Sequence, residues 1–275
     1  MYEAIMEELK SREVYMHEVY APFYIASFVM HEFNLYNQAK GIYWVAKDLP
    51  NLRLHLLFVS PAGFMKTFFL EQFLRGNNAI FRHVVPCTFV SNITEAGLVG
   101  QVTNTMGDLV LTPGLAKQYD EGIVGVDEFS AITKAFQVSY GSQIETQLLS
   151  ILDSGWVYKR VGPGEISYLT NMTLWGGVQP ARFDLTSGMG RRFMYMAFFP
   201  AKKEADELMD AWAQSKGKMP DNRTQEVKKK VIQFKEELRR IKEVKFSEEL
   251  VPYYKKIGLF PYEGSQFDRL SLIHI

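Results

Sequence analysis

Hydrophobic side chains recur with two different spacings along this chain, and the change in spacing divides it into regions. Up to about residue 46 they recur at the spacing of an α-helix, as in the stretch from Tyr24 to Leu35. From Leu52 to about Pro200, short apolar runs alternate with helix-like stretches, which is typical of a parallel sheet flanked by helices. The runs that predict strands are Arg53–Val59, Val84–Val90, Ile123–Asp127, Met172–Val178 and Phe193–Phe199. We therefore expect an α/β fold with a five-stranded parallel sheet.

After Pro200 the chain becomes strongly charged, and helical spacing returns. Apolar residues there recur at intervals of four and three among lysines, arginines and glutamates: Val227, Val231, Phe234, Leu238 and Ile241. This spacing predicts an amphipathic helix that packs on a small helical domain. The pattern as a whole predicts an N-terminal helical segment (1–46), an α/β core (47–200) and a helical region (201–269).

Composition and the chain ends narrow the class of protein. Lys plus Arg and Asp plus Glu number 31 each, so no overall charge draws the chain to nucleic acid or to a membrane, and any such partner must meet a local patch. The acidic N-terminus and the absence of a membrane-spanning apolar stretch predict a cytoplasmic protein. The last six residues (270–275) read like a translated sequencing adaptor, so we expect the natural protein to continue beyond Arg269.

The segment from Ser60 to Thr67 follows a predicted strand and precedes an apolar helical stretch. A phosphate-binding loop needs this order, because backbone N–H groups and the N-terminus of the following helix surround the phosphate. The Lys66 ammonium would reach the terminal phosphates, and the Thr67 hydroxyl would bind Mg²⁺. Serine and methionine replace the two glycines of the usual G-x-x-x-x-G-K-[ST] pattern. The residues expected to bind nucleotide are Ser60, Pro61, Ala62, Gly63, Phe64, Met65, Lys66 and Thr67.

A second segment, Gly122–Phe129, is a hydrophobic strand that ends in two acids. Asp127 would bind the nucleotide's Mg²⁺ through the water shell of the ion, and Glu128 would polarise an attacking water. A buried strand that ends in two acids is common, and on its own it would indicate only a strand end exposed to solvent. The two segments together, in this order, indicate a nucleotide hydrolase.

The order of these motifs resembles that of the AAA+ ATPases, in particular the branch with a hairpin before the sensor strand, which includes the minichromosome maintenance helicases. The resemblance covers most of residues 20–200. Such helicases have a loop of the form G-D-P-G-x-A-K-S, with which Gly63 and Lys66 align. The stretch Asp108–Ala116 is similar to the family's run into its acidic motif. The resemblance implies a P-loop NTPase core of the AAA+ type, ATP and Mg²⁺ as cofactors, and an incomplete helical lid over 201–269.

Two further segments extend the resemblance. Leu174–Pro180 is similar to the family's sensor strand, which usually ends in Asn-Pro, so Gln179 would orient the lytic water. Ser187–Phe193 resembles the family's Ser-Arg-Phe segment, which implies that Arg192, or alternatively Arg191, reaches a neighbour's γ-phosphate. The family likeness also implies a homo-oligomeric ring, expected to be a hexamer. Without the family resemblance, we would interpret Gln179 as a turn cap before proline, and Arg191 and Arg192 as solvated surface residues.

The stretch Gly155–Leu169 alternates aromatic and polar residues on both sides of a Gly-Pro-Gly turn, which predicts a β-hairpin. In DNA-translocating relatives this hairpin projects into the pore of the ring. The resemblance then implies that Lys159 and Arg160 bind single- or double-stranded DNA through backbone phosphate, and Tyr158 could stack on bases. Equally, the hairpin could pack against the sheet with its charges in water.

Two other segments carry weaker expectations. Gly97–Gly100 resembles the family segment that enters a helix carrying a second pore loop. Tyr20–Tyr24 occupies the position of a linker that lines the adenine pocket in relatives, but core packing is the interpretation we favour.

Three functions fit these observations. The first is an ATP-hydrolysing AAA+ motor on DNA, a helicase or replication initiator from a virus or plasmid. The second is a MoxR-like ATPase that remodels a protein partner. The third is a regulatory protein that binds nucleotide and hydrolyses it weakly, because Ser60 and Met65 depart from the usual loop.

Overall fold

The computed structural model describes residues 1–39, 53–105, 108–129, 141–161, 164–180, 192–215 and 224–240. Several positions named above lie outside the described residues: Arg191, Ile241, Arg269, the Gly-Pro of the hairpin turn (162–163) and the final six residues.

The helices are α1 (Tyr2–Ser11), α2 (His17–Ala39), α3 (Lys66–Leu74), α4 (Glu95–Val99), α5 (Leu115–Gln118), α6 (Gly141–Asp153), α7 (Lys202–Ser215) and α8 (Thr224–Leu238). The strands are β1 (His55–Val59), β2 (Cys87–Val90), β3 (Gly100–Thr105), β4 (Asp108–Pro113), β5 (Ile123–Val126), β6 (Trp156–Val161), β7 (Gly164–Leu169), β8 (Thr173–Val178) and β9 (Phe193–Ala197). Among the described helices, none has the length and apolar character needed to cross a membrane.

Five parallel strands form the central sheet, in the order β2-β5-β8-β1-β9. All five strand predictions are confirmed, but every observed strand is shorter than its predicted run: β1, β2 and β9 by two or three residues, and β5 and β8 by one. Strand β2 shows why: Val85 N–H donates to Phe81 O at 3.0 Å, so the chain turns before Pro86 and strand pairing begins at Cys87. The fold is therefore α/β with a five-stranded parallel sheet.

Two hydrophobic clusters cover the two faces of this sheet. Along β1, Leu56 and Phe58 belong to the first cluster and Leu57 to the second, as strand alternation requires. The first cluster contains apolar residues of α1, α2, α3 and α8, and the second contains those of α4, α6 and the β6–β7 hairpin. Because both faces are covered, the strands read as nearly continuous apolar runs.

The N-terminal helices pack directly on the first cluster, which confirms the helical prediction for the described part of that segment. The Tyr24 ring stacks on Phe69 and Phe73 of α3, and the Tyr20 hydroxyl donates to Ala197 O at 2.9 Å. Tyr20–Tyr24 therefore serves core packing, as favoured from the sequence.

Helix α8 is amphipathic, as predicted, and its apolar face packs on the cluster shared with α1 and α2. Thr224 and Arg12 both contact Glu8, which ties the start of α8 to α1. At the other end, Lys235 forms an ion pair with Glu32 at 2.9 Å. This helix thus covers the N-terminal helices.

Two β-hairpins stand outside the central sheet. The β6–β7 hairpin confirms the prediction made from alternation in 155–169. The β3–β4 hairpin was not predicted: the segment that resembled the entrance to a pore-loop helix forms only the short α4, and the chain then turns at Gly100. At that glycine φ is 111°, and a side chain would meet Thr112 O at 2.7 Å, so the helix ends there and a hairpin follows.

Candidate functional site

The carboxyl ends of β1, β5 and β8 meet at one edge of the sheet, with β8 between the other two. From β1 the chain crosses toward β2, whereas from β8 it crosses in the opposite direction to β9. Adjacent strands whose connections leave in opposite directions open a crevice at their carboxyl ends, where ligands bind in such sheets. The residues that follow these three strands are the ones that the sequence singled out.

The loop after β1 is held by its own polar groups. Ser60 N–H donates to Val178 O at 3.1 Å, and the Ser60 hydroxyl donates to Phe64 O at 2.6 Å. Gly63 and Met65 both have left-handed backbone, with φ of 83° and 50°. Methionine is unfavourable in this conformation, but its side chain is buried in the first cluster, and that burial holds the loop in place.

The loop presents backbone donors next to the start of α3. Within the described residues, the N–H groups of Gly63, Phe64 and Met65 have no hydrogen-bond acceptor. A side chain at Gly63 would meet nothing within 4 Å, so the space above the loop is open. Consecutive amides beside a helix N-terminus form an environment that favours an anion.

The Lys66 side chain lies across the mouth of the loop. Its Nζ donates to Ser60 O at 2.9 Å and to Pro61 O at 2.7 Å. Burial lowers the pKa of Lys66, and the carboxylates of Glu128 and Asp127 oppose this shift. The ammonium is therefore within electrostatic reach of both acids, and it bonds neutral carbonyls that phosphate oxygens could replace.

The decisive contact joins the two segments. The Thr67 hydroxyl, at the start of α3, donates to Asp127 Oδ1 at 2.5 Å, although 60 residues separate the two in sequence. Asp127 is itself held because its N–H donates to Val90 O at 2.9 Å. A hydroxyl and a carboxylate are hard oxygen ligands of the kind that Mg²⁺ prefers, and Mg²⁺ needs only one or two of them when phosphates complete its shell. The residues present therefore fit Mg²⁺ with a bound nucleotide.

Beside this contact lie Glu128 and Gln179. Gln179 Nε2 stands 3.5 Å from Glu128 Oε2, a long hydrogen bond that still brings the amide and the carboxylate together. The next residue, Phe129, is fully buried, and its N–H donates to Gly177 O at 2.8 Å. This contact anchors the backbone immediately after Glu128 in the core.

Gly177 is a site residue that the sequence analysis missed. A side chain there would meet Asp127 O at 2.7 Å and Lys66 Cβ at 3.2 Å, so only glycine lets β8 pass between the loop and the acids. A glycine inside a strand signals close approach of another backbone, and the Gly-Gly pair of β8 was visible in the sequence.

Arg192 does not lie at this site within its own chain. It precedes β9, and the start of a parallel strand is at the opposite edge of the sheet from the loop. Its side chain is 8% exposed and forms an ion pair with Asp153 at the end of α6. Nearby, Arg53 is fully buried and donates to the carbonyls of Met172 and Ile151. Burial lowers the pKa of Arg53 to about 9, and Asp153 opposes this shift.

The two basic residues of the β6–β7 hairpin lie on different faces. Lys159 forms an ion pair with Glu95 of α4 at 3.1 Å, and both side chains are mostly buried. Arg160 is exposed and lies opposite Glu165 in the strand register. The exposed face that carries Arg160 also presents large apolar side chains: Trp156, Tyr158 and Leu169. Acids therefore balance the basic residues of this hairpin.

Comparison with known proteins adds no family to these observations. No protein-family model matches the chain. No curated protein matches it either.

Proposed function

We propose that this protein binds and hydrolyses ATP with Mg²⁺ as an AAA+ motor. The observation that supports this best is the contact between Thr67 and Asp127, because it joins the phosphate-binding loop to the acidic strand in the arrangement that a nucleotide hydrolase requires. Lys66, Glu128 and Gln179 lie around the same contact.

The residues would divide the work as follows. The N–H groups of Gly63 to Met65 hold phosphate oxygens, and Lys66 exchanges its carbonyl partners for the terminal phosphates. Thr67 and Asp127 hold Mg²⁺, which neutralises charge on the phosphates when bound. The Glu128 carboxylate accepts a proton from the attacking water, and Gln179 orients that water from the other side.

The ring form is a further part of the proposal. Arg192 would act on the nucleotide of a neighbouring subunit, so it must first leave Asp153, its ion-pair partner within the chain. The helices α7 and α8, which follow β9, would belong to a helical lid. A motor of this kind would hydrolyse ATP faster at high protein concentration, when subunits meet.

For the polymer on which the motor acts, we propose DNA first. Trp156 and Tyr158 stand on one exposed face of the hairpin with Arg160, and aromatic rings beside a guanidinium suit unpaired bases and their phosphates. A protein substrate is the second candidate. The ion pair of Lys159 with Glu95 supports it, because this pair leaves the hairpin with little net positive charge.

The test is ATP turnover of the purified protein, measured by phosphate release with and without single-stranded DNA. Glu128→Gln should bind a fluorescent ATP analogue as wild type does and lose about a hundredfold in turnover. Lys66→Ala should lose the binding as well. Unchanged turnover in the Glu128 variant would overturn the assignment of the general base.

Stimulation by DNA that disappears in an Arg160→Ala variant would support the DNA motor. Turnover that ignores DNA but responds to an unfolded polypeptide would transfer the proposal to protein remodelling. Tight nucleotide binding with no turnover in any condition would favour the regulatory interpretation.

A further inference from the structure

The outer edge of β2 carries main-chain groups that point away from the sheet. Pro86 O accepts a hydrogen bond from the N–H of Ile123 at the start of β5, and Val90 O accepts one from the N–H of Asp127 just after β5, at 2.9 Å each. Since successive residues of a strand direct their N–H and C=O groups to opposite sides, Cys87 and Phe89 direct theirs outward. Within the part of the chain that the structure describes, β2 is the last strand on this side of the sheet. Among the described residues, two donors and two acceptors are therefore without a hydrogen-bond partner at this edge.

A groove of about 630 Å³ runs beside this edge. Arg75, Arg82 and His83 line it, and none of the described residues that line it is acidic. The Arg75 guanidinium lies 5.4 Å from the centre of the Phe89 ring, with Glu71 paired to it on the helix surface. Basic groups and an aromatic side chain thus flank the open main chain.

We propose that an extended, acidic polypeptide segment binds here by adding a strand to the edge of β2. Its backbone would pair with the N–H and C=O groups of Cys87 and Phe89, as peptides do when they extend a sheet. Carboxylates on one side of the segment would meet Arg82 and His83.

Charge selects this occupant over two others. A second copy of the chain meeting edge to edge would bring like-charged arginines together, which is how proteins keep exposed edges from self-pairing. A nucleic acid would satisfy the arginines, but it has no peptide backbone to pair with Cys87 and Phe89. An acidic peptide satisfies both the charges and the main chain.

The first test uses a fluorescein-labelled peptide of alternating valine and glutamate, with the full-length protein in the absence of nucleotide. Fluorescence anisotropy should show binding, and hydrogen exchange at the amides of Cys87 and Phe89 should slow when the peptide is present. The same peptide with alternate backbone nitrogens methylated keeps its charge and loses its donors, so its affinity should fall by about tenfold or more. This comparison leaves the protein unchanged, so it does not depend on any variant folding.

The second test separates the groove from general charge. Arg82→Glu should weaken peptide binding by about tenfold. Lys203→Glu makes the same change in net charge on α7, which follows β9, the strand at the opposite edge of the sheet. The lysine is 88% exposed, and the change should leave binding unaffected.

Four outcomes would overturn the proposal. The peptide does not bind; the methylated peptide binds equally well; or Arg82→Glu and Lys203→Glu weaken binding equally. In the fourth, hydrogen exchange at Cys87 and Phe89 slows when the protein concentration is raised without peptide, which would indicate that a second copy of the chain covers the edge. Displacement of the peptide by oligo-dT with the same dependence on Arg82 would make the groove a nucleic-acid site instead. Because no step involves ATP, failure of this proposal leaves the hydrolase assignment intact, and the converse also holds.

Discussion

Replacing Met65 would test whether the loop after β1 carries backbone strain. Its φ of 50° lies in the left-handed region, where a residue with a side chain loses about 1–2 kcal/mol. Glycine adopts this conformation freely, and glycine stands here in the usual loop pattern. The Met65 side chain is 6% exposed and packs in the first hydrophobic cluster. Strain and burial therefore oppose each other at one residue.

A comparison of Met65→Gly with Met65→Ala separates the two effects. Both variants lose the buried side chain, which should cost about 2–5 kcal/mol of unfolding free energy. Alanine keeps the strain, whereas glycine removes it. Glycine also gains entropy in the unfolded chain, worth about 0.4–1 kcal/mol, which is less than the strain. We therefore expect the glycine variant to be more stable than the alanine variant by about 0.5–1 kcal/mol.

Urea unfolding followed by circular dichroism, without nucleotide, measures this difference. The matched control is Lys229, an exposed residue inside α8. There the order should reverse, because alanine in an exposed helix is more stable than glycine by about 1 kcal/mol. If alanine proved the more stable residue at both positions, Met65 would carry no strain and the argument would be refuted.

Three further predictions concern other groups. Asp127→Asn keeps an acceptor for Thr67 but loses the charge, so in titrations with a fluorescent ATP analogue Mg²⁺ should no longer raise affinity. Asp153→Asn breaks the ion pair with Arg192; because Asp153 is 47% exposed, we expect a loss of only about 1 kcal/mol in urea unfolding. Burial lowers the pKa of His31 from 6.5 to about 4, so the unfolded chain binds more protons in that window and stability should fall as pH drops through it. His31→Gln should reduce this fall between about pH 7 and about pH 5; an unchanged slope would contradict the assignment.

The strands of the central sheet could be predicted because both of its faces are buried. Each strand is then a short apolar run in the sequence, and this apolar composition does not depend on which strands lie beside it. The ends of the runs could not be predicted, because a tertiary event decides them: the turn that Val85 makes onto Phe81 keeps two apolar residues out of β2.

The β3–β4 hairpin escaped prediction because it has no clean buried face. Val110 and Leu111 are neighbours in the chain, and each is nearly half exposed. A strand that alternates apolar and polar residues would bury only one of two such neighbours. Close backbone contacts shape the hairpin instead, such as the approach of Gly100 to Thr112 O. Such contacts leave no hydrophobic pattern in the sequence.

At the site, the sequence showed which side chains could bind phosphate and Mg²⁺, but it did not show which of these side chains lie close to one another. Lys66, Thr67 and Asp127 follow strands, and a parallel sheet gathers such residues at one edge. That β8 lies between β1 and β5, and that Gly177 leaves room for this, depends on the strand order. The open edge of β2 depends on the same order, so sequence alone could not reveal it.

The contacts of Lys66 bear on whether the loop can release its own groups to a nucleotide. Its Nζ bonds two neutral carbonyls, at Ser60 and Pro61. Phosphate oxygens carry negative charge and carbonyl oxygens do not, so Coulomb attraction to the ammonium favours exchange of these carbonyls for phosphate oxygens. This difference favours release of Lys66 from its own loop when a phosphate binds there.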